Sequence, residues 1–369
     1  MTADLASRIR RTQAALAVAG ADALVVGAGS DLRYLTGYDA LPLERLTSLV
    51  LPAEGDPALV VPTLESAEAD RSPAGLAGMQ IVTHEETDDA YQVAVEPIRR
   101  AGKVLVDDHM WAQRFLQFAA ALPSTSLDVA GEVLTGLRMR KGPDEVTSLR
   151  AAGAAIDRVH ARMGEFLKVG RTEQQAGDAI ADAIVAEGHA RTDFVIVGSG
   201  PNGASPHHSV SHREIRAGDT VVVDIGGTTT DGYCSDSTRT YAVGTAPSAA
   251  VTEQYDVLLR AQRAQCDHAK PGVTAESVDR VGRSIIADAG FGDLFFHRTG
   301  HGIGLDTHEE PYLVEGNQVL LEPGMAFSIE PGIYASGRHG ARIEDIVVTT
   351  PDSVERLNTT TRELTVLEG

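Results

Sequence analysis

Apolar residues in the first 137 positions fall into two rhythms. Residues 4–19 repeat at helical spacing. Short continuous runs follow, ALVV at 23–26, LTSLVLP at 46–52, ALVVP at 58–62 and KVLVDD at 103–108, and a second helical pattern lies near 110–121. Short apolar runs bounded by turn residues predict strands covered on both faces, and their alternation with helical stretches predicts an α/β domain. No Gly-rich phosphate loop follows the first run. The charged segment LRMRKGPDEVTSLR at 137–150 breaks this rhythm and opens a long amphipathic helix, with Pro143 suited to its first position. It marks a boundary between domains at 1–137 and 138–369.

Beyond that boundary the pattern repeats. KVGRTEQQAGDAIADAIVAEG at 168–188 and KPGVTAESVDRVGRSIIADAG at 270–290 share a layout 102 residues apart. Each has a Gly, a Thr placed to cap a helix, and a closing Gly. A helical pattern precedes each copy. A strand-like run follows each, FVIVGSG from 194 and FFHRTGHG from 295, and then a strand ending in an acid, DTVVVDIGG at 219–227 and GMAFSIEPG at 324–332. A turn-rich stretch and a return strand bring a further acid, Asp236 in the first copy and Glu344 in the second. The expectation is a duplicated α/β layout.

If the two copies face each other, their hairpins deliver Asp224, Asp236, Glu330 and Glu344 to one centre. Four close carboxylates repel unless cations lie among them, and two divalent ions would balance them in charge. Oxygen-rich sites with an imidazole suit manganese, cobalt or zinc. His301, flanked by Gly300 and Gly302 in HRTGHGIGLDTHEEP at 297–311, is the natural nitrogen ligand. The competing reading takes DIGGTTTD, from 224, as a phosphate loop of the sugar-kinase type. It lacks a second Gly-rich acidic loop and sits far from the chain's first strand, so the metal reading is the better supported.

Composition narrows the class. The 369 residues are 43% hydrophobic and 23% charged, as in an ordinary globular protein. Lys and Arg total 32 against 52 Asp and Glu, for a net charge of −20, and no dense basic run occurs. Nucleic acid and anionic membrane are therefore poor partners. Two cysteines, Cys234 and Cys266, form no disulfide framework and fit a reducing cytoplasmic compartment. The N-terminal RIRR with its following apolar run superficially resembles a signal peptide, but Asp22 interrupts it, and it reads as helix then strand. No segment approaches the roughly 18 apolar residues of a membrane span.

DIGGTTTDGYCSDSTRT, HRTGHGIGLDTHEEP, SIEPGIY and ARIEDIVV together resemble the creatinase/prolidase/methionine-aminopeptidase superfamily of M24 metallopeptidases, and DLRYLTGY at 31–38 resembles its N-terminal creatinase/prolidase-type domain. The likeness covers nearly the whole chain and is strongest to small bacterial Xaa-Pro dipeptidases. It implies an α/β N-terminal domain followed by a duplicated "pita-bread" α+β catalytic domain. It implies a dinuclear centre, manganese foremost with zinc or cobalt as alternatives. Asp236 and Glu344 would bridge the ions, Asp224 would hold one, and His301 with Glu330 the other. The two Asp stand 12 apart, one more than in much of the superfamily, and a longer turn in GGTTTDG is the expected place for the extra residue.

The resemblance further implies catalytic roles for His207, His308 and Glu330, with His207 handling a proton, His308 stabilising an oxyanion and Glu330 taking the proton of water. His297 would line the pocket. Arg342 would meet substrate or hold the carboxylates, and Tyr312 stands where several prolidases carry a carboxylate-binding Arg. His297, Arg298 and Arg342 could supply the missing charge. The expected activity is hydrolysis of the Xaa-Pro bond of dipeptides by a cytoplasmic homodimer. The alternatives are release of the N-terminal residue from longer Xaa-Pro peptides, as in aminopeptidase P, a metal-free creatinase-like hydrolase, and a non-catalytic binding module. His208 and the remaining histidines read as surface or packing residues, and Cys234 as packing.

Overall fold

The computed structural model describes residues 3–369, which divide into two compact units, one ending at Arg138 and the other Met139–Gly369. The first unit is built on a six-stranded mixed sheet of order β4-β3-β2-β1-β5-β6, with β1 Ala23–Gly27, β2 Ser48–Pro52, β3 Ala58–Pro62, β4 Gln80–His84, β5 Lys103–Val106 and β6 Ser126–Val129. The continuous apolar runs became its central strands: β1 and β3 are buried at every position, as expected where both faces are covered. Helices Ala3–Val18 and Ala112–Ala121 occupy the two helical patterns. The pattern analysis did not single out β4 and β6, which are the edge strands of the sheet, mostly exposed or half-buried and short of apolar residues.

The second unit opens with helix Pro143–His160, which has Pro143 at its first turn and a bond from the Gly142 N–H to Glu145 Oε2. Helix Glu173–Ala186 follows. Thr172 Oγ1 accepts from the Gln175 N–H while Gln175 Oε1 accepts from the Thr172 N–H, so two otherwise unpaired donors are satisfied at once. In the second copy, helices Ala249–His268 and Ala275–Asp288 take the corresponding places. Thr274 stands at the cap position, but its hydroxyl makes no capping bond. The residue three further on is Ser277, whose hydroxyl donates instead to the Thr274 carbonyl, so the reciprocal pair seen at Thr172 cannot form.

The strands of this unit are β7 His189–Ser199, β8 Thr220–Thr229, β9 Cys234–Val243, β10 Gly300–Gly302, β11 Glu309–Leu313, β12 Ala326–Ile329, β13 Gly332–Ala335, β14 His339–Arg342, β15 Asp345–Thr349, β16 Val354–Arg356 and β17 Thr365–Leu367. They form sheets of order β17-β9-β8-β7 and β11-β10-β12-β15-β16, with β13-β14 as a separate hairpin. On β8 the odd positions Val221, Val223 and Ile225 pack with Ile156, Val159, Ile180 and Ile184 of the covering helices. Side chains alternate along a strand, so the even positions, Asp224 among them, face the other way.

The copies also differ in their first strand. The first has the eleven-residue strand β7, whereas the run FFHRTGHG is strand only at Gly300–Gly302. Side chains of helix Ala275–Asp288 replace the missing ladder. Arg283 donates to the Phe295 and His297 carbonyls at 2.8 and 2.7 Å, and Asp279 Oδ1 accepts from the Thr299 N–H at 3.1 Å. Among the described residues no helix is long and apolar enough to cross a membrane.

Candidate metal centre

The two hairpins place their acids by register. β8 and β9 pair without interruption from Thr220 opposite Ala242 to Thr228 opposite Cys234. Asp224 lies opposite Thr238 and Asp236 opposite Gly226. They are diagonal neighbours on one face, and residues 230–233 form the turn between the strands. In the second copy β12 and β15 pair through Ile329 and Asp345, and the next step along both chains brings Glu330 and Glu344 alongside. The Glu344 N–H donates to the Thr238 carbonyl at 3.1 Å and Thr238 Oγ1 donates to Glu344 Oε2 at 2.8 Å, joining the copies.

His301 sits where backbone passes very close. A Cβ on Gly300 would lie 2.0 Å from the Ser328 carbonyl oxygen, and one on Gly302 2.1 Å from that of Glu310, so only glycine lets β10 fit between its neighbours. His301 Nδ1 lies 3.0 Å from the Gly302 carbonyl. A carbonyl only accepts, so Nδ1 carries a proton and Nε2 faces outward. It points to Glu330 Oε1 at 3.2 Å and Asp236 Oδ2 at 3.7 Å. Ser328 Oγ accepts from the His301 N–H and donates to Glu330 Oε1.

Three sets of candidate ligand atoms fall within 4.8 Å of one another here: Asp224, Asp236 and Glu344; His301, Glu330 and Glu344; and Asp236, His301 and His308. Asp224 Oδ1, Asp236 Oδ1 and Glu344 Oε1 are buried with no hydrogen-bond partner. An orphaned buried carboxylate oxygen is costly, and three converging orphans in an oxygen-rich set with one imidazole fit hard or borderline divalent cations. The electrostatics agree. Burial, then the charges of Glu344, Asp224 and Glu330, push the Asp236 carboxyl well above the ordinary range, and burial with the Glu330 and Asp224 charges does the same to Glu344. Burial also opposes ionisation of Glu330, but its bond to His301 and the nearby His301, Arg342 and His297 outweigh this and hold it down at about 2. Without added cations the cluster carries protons in place of some of its negative charge.

Arg342 is 2% exposed. Its Nη2 donates to Asp224 Oδ2 at 2.5 Å, Nη1 to Tyr334 Oη at 2.8 Å and to the Pro206 carbonyl at 3.3 Å, and Nε to Thr238 Oγ1 at 3.0 Å. Every guanidinium nitrogen thus meets a protein acceptor. The relay continues outward: Tyr334 Oη is 3.0 Å from His297 Nε2, whose Nδ1 lies 2.7 Å from the Arg298 carbonyl. Nδ1 therefore carries the His297 proton and Nε2 accepts from Tyr334.

These side chains open on a cavity of about 1010 Å³ lined by all five candidate ligands, with His207, His297, Arg298, His308 and Arg342. Phe194, Ile196 and Phe296 supply apolar wall. The His308 ring meets that of His301 at a centroid distance of 4.0 Å, and burial, then His301, lower its pKa to about 4. His308 is therefore neutral near pH 7, able to donate one N–H but not to act as a cation. Tyr312 is not among the lining residues. It lies on β11 with its ring under the Arg298 guanidinium, 4.2 Å from the centroid, and Arg298 is itself a lining residue. His208 turns away from the cavity to Glu173. Cys234 is buried and its thiol is pushed up to about 11 by burial, which leaves it protonated and unreactive.

Sequence reasoning passed over Thr238, Ser328 and Tyr334. Thr238 and Ser328 each stand two residues from a candidate ligand, on the same strand face, and that parity was the available signal. Tyr334 lies beyond a turn, where no periodicity reaches.

Residues 147–351 match the model of Metallopeptidase family M24, and residues 8–140 match the Creatinase/Prolidase N-terminal domain. The crystal structure of dipeptidase PepE from Mycobacterium ulcerans is 52% identical, with TM-score 0.94 over 99% of this chain and 98% of that one. A prolidase from Thermococcus sibiricus is 38% identical with TM-score 0.91 over the full length of both chains. A Xaa-Pro dipeptidase of Lactobacillus helveticus is 35% identical over 348 residues, which cover 91% of this chain and 92% of that protein. The α/β N-terminal domain and pita-bread catalytic domain expected from the motifs are thus the architecture found, and the chain belongs to metallopeptidase family M24.

Proposed function

We propose that this protein is a dinuclear-metal-dependent dipeptidase that hydrolyses the bond before proline. The observation that carries the reading is the convergence of Asp224, Asp236, His301, Glu330 and Glu344 on one cavity with three carboxylate oxygens left unpartnered. The dipeptidase and prolidase names of the relatives support the substrate class. Asp236 and Glu344 would be shared by the two ions, with Asp224 on one and His301 and Glu330 on the other. Manganese leads, and zinc or cobalt suits the same donors. Divalent ions held there polarise a carbonyl and lower the pKa of water.

The chain's own groups do the rest. Glu330, ionised through the neutral range, accepts the proton that attacking water gives up. His308 donates its N–H toward the oxygen that becomes negative. A prolyl nitrogen carries no hydrogen and must gain one to leave, and His207, which also lines the cavity, is assigned to deliver it. We assign Arg342 to holding Asp224 and ordering Tyr334 and His297, in place of substrate contact. All cavity residues belong to the second unit, so the N-terminal domain is assigned a part in limiting peptide length. The cytoplasm and a homodimeric state remain part of this reading through the resemblance.

Manganese-loaded protein should release proline from Ala-Pro and leave Ala-Ala nearly untouched. Failure on Ala-Pro would sink the proline assignment. Equal turnover of Ala-Pro-Ala would move the reading to an aminopeptidase P-type enzyme.

The substrate carboxylate is assigned to Arg298, with Tyr312 as the aromatic face that holds its guanidinium flat. A charged hydrogen bond contributes about 1.5–3 kcal/mol. Arg298→Gln should therefore raise KM for Ala-Pro by roughly 10- to 100-fold with metal content unchanged. Tyr312→Phe keeps the ring and should change KM less than about threefold. A larger effect from Tyr312→Phe than from Arg298→Gln would return the anchor to the tyrosine hydroxyl.

A further inference from the structure

Glu173 is the first residue of helix Glu173–Ala186 and is fully buried. A carboxylate at the start of a helix usually reaches toward solvent and the helix's own amides. This one is turned inward and takes bonds from a single stretch of chain. Its Oε1 accepts from the Ser199 N–H at 2.8 Å, Ser199 Oγ at 2.6 Å and Asn202 Nδ2 at 3.0 Å. Its Oε2 accepts from Asn202 Nδ2 at 3.1 Å, His208 Nε2 at 2.7 Å and Ser211 Oγ at 2.5 Å. The main chain closes the same region: the Glu173 and Gln174 N–H groups donate to the Arg213 and Ser211 carbonyls.

All four side-chain partners lie in residues 199–211, which leave β7 and return toward β8. His207 is in that segment and lines the cavity, while its neighbour His208 is bound to Glu173. Two consecutive side chains thus face opposite ways, one into the cavity and one onto a buried anion. The segment contains short 3₁₀ turns at Gly200–Ala204 and no longer element of its own, and beside His207 its backbone is otherwise held by the bond from Arg342 Nη1 to the Pro206 carbonyl at 3.3 Å. Burial works against the Glu173 charge, but the bonds from Ser199, Ser211 and His208 outweigh it, and its carboxyl stays below the ordinary glutamate range.

We propose that Glu173 is a positioning residue for the reaction: it clamps the 199–211 segment through Ser199, Asn202, His208 and Ser211 and thereby sets His207 at the cavity wall. The inference rests on the proton-delivering role of His207 proposed above. An amide at position 173 presents an N–H₂ to one set of donors, so Glu173→Gln breaks about half of the clamp without changing its size.

The test is a cycle of Glu173→Gln, His207→Ala and the double variant in manganese-loaded protein, with His208→Ala as a milder break of one bond. Turnover of Ala-Pro, metal content and hydrogen exchange are read for each. Glu173→Gln should lower kcat by about tenfold or more, with KM and metal content little changed. It should speed exchange in 199–211 and leave β8 and β9 protected. His208→Ala should do the same to a smaller degree. In the His207→Ala background the Glu173→Gln change should cost no further kcat, because groups acting through one another are not additive.

An additive loss, or unchanged exchange in 199–211, overturns the inference. A full loss from His207→Ala with none from Glu173→Gln overturns it while leaving the His207 role standing. An unaffected His207→Ala variant removes that role, and with it the inference.

Discussion

Asp236→Asn should abolish peptide hydrolysis and at the same time make the metal-free protein more resistant to heat. Asp236 is 4% exposed, and its Oδ1 has no partner. It belongs to two of the three candidate ligand sets. Loss of a group that both ions would share on the proposed reading should lower turnover by roughly 10³-fold or more, beyond the loss of a single oxyanion donor. The stability effect has the other sign. The folded-state pKa of Asp236 is raised by burial and by Glu344, Asp224 and Glu330. A raised folded pKa means stability that is full below the unfolded value near 4 and is lost as pH climbs toward the folded pKa. Metal-free wild type should therefore weaken as pH rises from about 4.5 to 8, and the asparagine variant should show a flatter profile. A neutral amide does not titrate, so the advantage of the variant over chelated wild type should widen as pH rises.

Manganese should invert the comparison. Binding to the folded state alone stabilises it by about 2.7 kcal/mol at a hundredfold excess over Kd, and the ligands must be deprotonated to bind. Wild type with manganese should gain thermal stability as pH rises, and Asp236→Asn should gain little. Melting curves in chelator and in manganese across that pH range read both effects. A chelated variant that melts below chelated wild type would show that the carboxylate is stabilising as it stands, against the repulsion argued here.

The acids were legible in the chain because their placement is local. Asp224 and Asp236 sit on adjacent antiparallel strands joined by a short turn, and period-2 alternation decides which face each takes. The register from Thr220 to Thr228 has no irregularity, so Asp224 and Asp236 keep to one face. His301 was marked by its flanking glycines, whose backbone approaches to Ser328 and Glu310 admit no side chain. The edge strands Gln80–His84 and Ser126–Val129 were not legible, since strands with exposed faces show no apolar run. Nor was the loss of strand over 295–299, which depends on Arg283 and Asp279 supplying bonds that a neighbouring strand supplies to β7. Glu173 looked like an ordinary first-turn acid. Only the three-dimensional path of 199–211 turns it into the centre of a hydrogen-bond cluster. Tyr312 stood at the position expected for an anchor, but the cavity is lined by the cation stacked on its ring, and stacking between a loop and a strand leaves no mark in spacing.

Arg342→Met should produce the largest loss of stability, of about 3–5 kcal/mol, the usual result of removing one partner from a buried ion pair. The guanidinium is buried within the carboxylate cluster, 2.5 Å from Asp224 and 4.0 Å from Glu330. Methionine fills much of the volume but leaves Asp224 Oδ2 without its donor and removes one bond each from Tyr334 Oη and Thr238 Oγ1. Nearby charges pull in one direction: without the cation, each remaining carboxylate repels the others more strongly. Pairing the change with Asp224→Asn should recover part of the loss, because the orphaned charge goes with it, and the shortfall from additivity measures the pair. Manganese should also rescue the single variant, by supplying cations where one was removed. These outcomes separate a carboxylate-holding Arg342 from one whose business is the substrate. A substrate contact would raise KM for Ala-Pro while leaving the chelated protein's melting temperature near that of wild type. If chelated Arg342→Met melts within about 1 °C of wild type, the coupling to Asp224 drawn from the geometry carries little energy. The 2.5 Å contact would then be an incidental feature of a site held together by its strands.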